Sequence, residues 1–147
     1  MKRILSIVIT AILAGAFAFT GMAPASASSD KGAFYIEKNC ADFHGYPGEH
    51  CTITKSTIDM IPTGSLVIYA AGPVDGVLCT DITLKVDDEN IAYGHVHLVF
   101  ETGTGFVTFK GGTGQFRHFH AEAVVSYISG YDWAWVGTYH FNFNPAH

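Results

Sequence analysis

Phe119-His120-Ala121-Glu122-Ala123-Val124-Val125-Ser126-Tyr127-Ile128-Ser129-Gly130-Tyr131-Asp132-Trp133-Ala134-Trp135-Val136-Gly137-Thr138-Tyr139-His140-Phe141 is the stretch on which the fold turns. Neighbouring side chains of a strand point to opposite faces, so a half-buried strand reads with period two. From 132 to 144 the odd positions are Trp133, Trp135, Gly137, Tyr139, Phe141 and Phe143. The even positions are Asp132, Ala134, Val136, Thr138, His140, Asn142 and Asn144, so the odd face turns inward. The same test on 116–128 puts Phe119, Ala121, Ala123, Val125 and Tyr127 inside, with His118, His120, Glu122 and Ser126 outside.

Upstream the pattern repeats. In the hairpin from 92 to 110, Val96, Leu98, Phe100, Val107 and Phe109 share one face, while His95, His97, Glu101 and Thr108 share the other. Candidate strands cover 33–38, 51–58, 65–71, 77–86, 92–101, 105–110, 115–128 and 132–144, with no amphipathic helix between them. Gly103-Thr104-Gly105 and Gly111-Gly112-Thr113-Gly114 read as hairpin turns, where glycine supplies the positive φ. They are not phosphate loops, because no helix follows to offer its N-terminus. Eight such strands predict an all-β, single-domain, eight-stranded antiparallel β-barrel, with a sandwich as the other way to bury them. An eight-stranded barrel is wide enough either to fill with side chains or to hold one small ligand.

The N-terminus supplies Lys2 and Arg3, an apolar run from Ile4 to about Phe19, then Pro24 and Ala25-Ser26-Ala27. This order predicts a secretory signal peptide over 1–27, cleaved to leave a domain over 28–147 and a secreted protein. The run is shorter than the roughly 20 residues of a membrane-spanning helix, so no membrane association is expected after cleavage. Cleavage removes two of the eight basic residues and none of the 13 acidic ones, which makes the net charge of −5 more negative by two. Such a surface repels phosphate backbones and excludes nucleic acid as a partner. Export also places Cys40, Cys51 and Cys79 where disulfides persist. The turn-rich segment between Cys40 and Cys51 favours a bridge between these two, with Cys51 to Cys79 as the alternative. Cys79, in Val77-Leu78-Cys79, reads as a buried core residue.

Gly111-Gly112-Thr113-Gly114-Gln115-Phe116, Phe119-His120-Ala121 and Trp133-Ala134-Trp135-Val136-Gly137-Thr138-Tyr139-His140-Phe141 resemble the allene oxide cyclase and dirigent-like barrel superfamily, above all its exported bacterial members. Cys51-Thr52-Ile53 and Ile61-Pro62-Thr63-Gly64-Ser65 extend the likeness over most of the mature chain. The resemblance implies an eight-stranded barrel with a hydrophobic lumen, assembled as homodimers or homotrimers. It also implies a lumen that folds a reactive apolar intermediate so that it cyclises or couples with one stereochemistry. No catalytic residue carries over, because the acidic, amide, Arg and Tyr groups of the plant proteins lie in motifs with no match here. Val136 stands where the bacterial group tends to have an acidic residue.

The residues thus point to a small apolar molecule as partner, held without a cofactor in a lumen lined by Phe119, Tyr127, Trp133, Trp135, Tyr139 and Phe141. The tyrosine hydroxyls and indole N–H groups supply its few polar tips. Two other function classes are open. One is a non-catalytic secreted protein whose outer face mediates assembly. The other is a metal-dependent enzyme of cupin-like type using His95, His97 and Glu101, whose spacing suits a two-His, one-carboxylate site on one strand face. His118, His120 and Glu122 form a second same-face set, yet alternation turns both sets toward solvent. No Gly-x-Ser-x-Gly elbow supports a serine nucleophile.

Overall fold

The computed structural model describes residues 30–142; the expected leader at 1–27, the start of the mature domain at 28–29, and Phe143 and Asn144 lie outside the described residues. The strands are β1 (Lys31–Asn39), β2 (His50–Ser56), β3 (Leu66–Tyr69), β4 (Val77–Lys85), β5 (Ile91–Val99), β6 (Thr104–Gly112), β7 (Phe119–Ser129) and β8 (Asp132–Phe141). Each pairs antiparallel with the next, and β8 pairs with β1, so the sheet closes as an eight-stranded barrel. Closure satisfies the strand edges that an open sheet would leave for other chains. The β1–β8 seam runs in unbroken register from Lys31↔His140 to Asn39↔Asp132.

Alternation decides which side chains fill the barrel. Trp135, Tyr139, Phe119, Ala121, Ala123, Val125, Val96, Leu98, Val107 and Phe109 are all buried, as the period-two reading requires, whereas His95, His97, His118, Glu122 and His140 are exposed. Small inward residues let the walls come together. A Cβ on Gly137 would stand 1.9 Å from the Glu122 carbonyl oxygen across the β7–β8 pair.

Four expectations need correction. Tyr127 is 49% exposed, because the strand runs past the end of the barrel beyond Val125 and no opposite wall covers the ring. Phe100 is exposed for a similar reason: β5 ends at Val99, and Phe100 falls in the turn. Cys79 is exposed, since Leu78, Thr80, Ile82 and Leu84 take the inward positions of β4. The segment expected to open β7 at 115 instead forms a 3₁₀ turn, Gly114–Phe116, and His118 adopts φ +69° before the strand starts at Phe119.

The loops gather at two ends. Segments 40–49, 70–76, 100–103 and 130–131 meet at one, which carries a Cys40–Cys51 disulfide and is called the disulfide end. Segments 57–65, 86–90 and 113–118 meet at the other. There Phe119 packs against Phe116 (centroids 5.2 Å apart), Phe141 (5.5 Å), Phe109 (6.2 Å) and Tyr139 (6.2 Å), forming an aromatic end.

Candidate functional site

The residue that sets the interior apart is Lys38. Phe34, Ile36 and Lys38 occupy successive inward positions of β1, so the same alternation that buries two hydrophobic side chains buries an amine, which is only 2% exposed. Its Nζ donates to the Tyr69 hydroxyl oxygen and sits over the ring faces of Trp135 (4.5 Å to the centroid) and Tyr69 (5.2 Å). Tyr69 in turn donates its O–H to Cys51 Sγ at 3.3 Å, because a disulfide sulfur carries no hydrogen. Lys38 forms no ion pair among the described residues. Burial in this apolar setting pushes the amine down to about 7. The two ring faces favour the ammonium and act against that shift. Burial also raises the Tyr69 phenol above its ordinary value.

Beside the amine stands a donor without an acceptor. Trp135 is 1% exposed and its Nε1 has no hydrogen-bond partner among the described residues. Buried donors in native proteins are nearly always paired, and an unpaired one costs about 1–3 kcal/mol. Lys38, Tyr69 and Trp135 therefore place three polar groups within a largely apolar core, two of them capable of serving a further acceptor.

The disulfide end is covered rather than open. Phe43 lies on the Tyr69 ring (4.5 Å between centroids), Gly48 N–H donates to the Tyr69 carbonyl (2.8 Å), and Tyr69 N–H donates to the Glu49 carbonyl (2.9 Å). The Glu49 carboxylate accepts the N–H groups of Tyr46 (3.0 Å) and His44 (2.6 Å), and these backbone bonds hold it below the usual carboxylate range. A cleft of about 440 Å³ opens at the same rim, between Phe100, Thr104, Tyr127 and Trp133. Trp133 is the β8 register partner of Lys38, so this cleft adjoins the wall that holds the amine.

Of the six expected lumen residues, Phe119, Trp135 and Tyr139 are buried within one core. Phe141 and Trp133 are half-buried at opposite ends, and Tyr127 is at the rim, where its hydroxyl donates to the Gly130 carbonyl and its ring meets Trp133 edge-on. Sequence reasoning missed Lys38 and Tyr69. The signal was present for the first: Phe34-x-Ile36-x-Lys38 carries the inward parity onto the lysine, which reads as a polar strand end when the strand is stopped there. Tyr69 comes close only when β3 pairs between β2 and β4.

On the outer wall His95 and His97 share a face of β5, as alternation requires, but Glu101 lies beyond the strand's end at Val99 and does not join them. Among the described residues no three His, Cys, Asp or Glu side chains come together to hold a metal, which also separates His118, His120 and Glu122. His120 stacks instead on His140 (5.2 Å, 11° between planes). His95 lies between Asp81 (Nδ1 to Oδ1, 3.0 Å) and the Cys79 thiol (Nε2 to Sγ, 3.5 Å).

Fold and interior together define an eight-stranded antiparallel barrel with a buried amine, free of carboxylates, near one end. No family model, curated protein or solved structure matches the chain. Its chemistry is therefore argued from these residues.

Proposed function

We propose that this is an exported barrel protein whose disulfide end binds a small, mostly apolar molecule bearing an acceptor oxygen. Trp135 Nε1, enclosed yet unpartnered, is the observation that carries the reading: an acceptor brought to it would satisfy an N–H that the protein leaves empty. Lys38 and Tyr69 lie around the same indole, and the aromatic side chains beyond them would take the apolar part. The resemblance to allene oxide cyclase and dirigent-like barrels supports a lumen that holds a reactive intermediate in one conformation, which accelerates a cyclisation or coupling by restricting geometry. The leader-like N-terminus and the disulfide support export to an oxidising compartment.

Tryptophan emission tests the reading. Titration with 1-hexanol is expected to quench it saturably, and Trp135→Phe is expected to weaken binding by about tenfold, the equivalent of one hydrogen bond. Unchanged emission across the soluble range of the alcohol would defeat the proposal.

A second reading rests on the outer wall. Phe106, Val124 and Val136 are 64%, 48% and 52% exposed and stand in one register row across β6, β7 and β8. An apolar row of this kind suits self-association through that face. Sedimentation of the protein at rising concentration, with Phe106→Ser as control, separates this reading from the first: a monomer throughout rules it out.

A further inference from the structure

We infer that Lys38 captures a small aldehyde or ketone as an imine inside the barrel. The inference rests on the lumen-binding reading above and names its ligand class. Three observations converge on it. The amine is enclosed without a carboxylate to pair with, so among the described residues only two ring faces and the Tyr69 hydroxyl oxygen favour the ammonium. Its hydrogen-bond partner, Tyr69, places a hydroxyl against the amine, where it can relay a proton by taking one up as it gives one. The unpartnered Trp135 Nε1 belongs to the ring that lies 4.5 Å from Nζ, so a donor for a carbonyl oxygen stands beside the nucleophile. An amine held near 7 by burial keeps a large unprotonated fraction at neutral pH, as imine formation needs.

The step balances without an oxidant or reductant. The Nζ lone pair adds to the carbonyl carbon, forming the C–N bond while the C=O π pair moves onto oxygen. Tyr69 gives its proton to that oxygen and regains one from nitrogen. The second nitrogen proton follows the oxygen out, and the products are one imine and one water. Trp135 N–H would hold the oxygen while its charge develops. Capture also explains why an amine is kept where an apolar side chain would pack at lower cost.

Incubation with hexanal and sodium cyanoborohydride at neutral pH, followed by peptide mapping, tests this on the unaltered protein. Reduction should fix one hexyl group on Lys38, about a hundredfold faster than on the exposed surface amines of Lys31, Lys55 or Lys110. Tyr69→Phe should slow the modification by roughly a hundredfold and alter its pH profile, a change that a merely structural role for the hydroxyl would not give. Modification spread over the surface lysines with Lys38 spared would overturn the inference. If 1-hexanol still binds in that case, the lumen reading survives and only the imine fails; if neither compound binds, both fail. Quenching by hexanoate with no trapping of hexanal would also overturn it, by showing that the amine serves as a cation for an anionic ligand.

Discussion

The two ends of the barrel solve the same problem with opposite chemistry. At the aromatic end, Phe109, Phe116, Phe119, Tyr139 and Phe141 fill the space with rings. The loops above them are tied by polar bonds that leave little unsatisfied: Asp87 accepts the N–H groups of Glu89 and Asn90, Asn90 accepts from Gln115 N–H, and Thr113 donates to the Glu89 carbonyl. The disulfide end has the same cylinder and the same alternation, but its inward positions hold an amine, a phenol and an unpaired indole N–H beneath a loop fastened by one covalent bond. Buried polar groups cost stability unless fully paired. The first end thus stabilises the barrel, and the second keeps polar groups buried at a cost in stability.

The sharpest way to break this contrast is Phe119→Ala. It removes the ring at the centre of the aromatic end and should destabilise the protein by about 3–5 kcal/mol, measured by denaturant unfolding, with trapping at Lys38 unchanged in the folded fraction. If trapping at Lys38 fell in the folded fraction, the ends would not be independent. Joint replacement of Cys40 and Cys51 by alanine should cost roughly 3 kcal/mol by freeing the loop between them. It should also raise proteolysis within 40–49, because Phe43 and Gly48 would no longer be held against Tyr69.

Lys38→Met should act in the other direction and stabilise the fold by roughly 1–3 kcal/mol at pH 7, since it exchanges a buried amine for an apolar side chain of similar length. The pH dependence fixes the sign. The folded amine sits near 7 and the unfolded one at the ordinary lysine value, so between them the unfolded chain binds the extra proton. Wild-type stability must therefore climb as pH rises above about 7, by at most about 1.4 kcal/mol per unit, and the penalty is fully present below that pH. The advantage of Lys38→Met should shrink over the same window. An advantage independent of pH would show that the amine is already charged when folded.

Smaller effects probe the lid and the outer wall. Glu49 lies below the usual carboxylate range, so its contribution is present above the unfolded value and is lost as pH falls through the depressed folded one. The protection factors of His44 and Tyr46 N–H against hydrogen exchange should therefore fall in acid, and Glu49→Gln should remove that change. Least of all, His95→Gln should alter stability by under about 0.5 kcal/mol, because the ring and both its neighbours are exposed.

Much of this was legible in the chain. All eight strands were placed to within a few residues, and parity put Trp135, Tyr139 and Phe119 inside and the histidines of β5 outside. Of the two bridges the sequence left open, the structure has Cys40–Cys51, the one favoured by the loop between them. Tyr127 and Phe100 were misplaced because parity says which way a side chain points but not whether a wall faces it. Lys38 was missed because residue type overrode parity: lysine reads as solvent-facing until the strand is seen to continue through it.

By itself the sequence determined the local rule, an alternation of inward and outward positions along the strands, since it depends only on neighbouring residues and the pleat. Tertiary structure alone decided what that alternation brought together. The amine of β1 meets Tyr69, 31 residues away, and Trp135 of β8 only because the last strand returns to pair with the first. That pairing sets how deep each inward side chain lies and how much water it keeps, and water is what separates an ordinary lysine from one whose amine is pushed down to about 7.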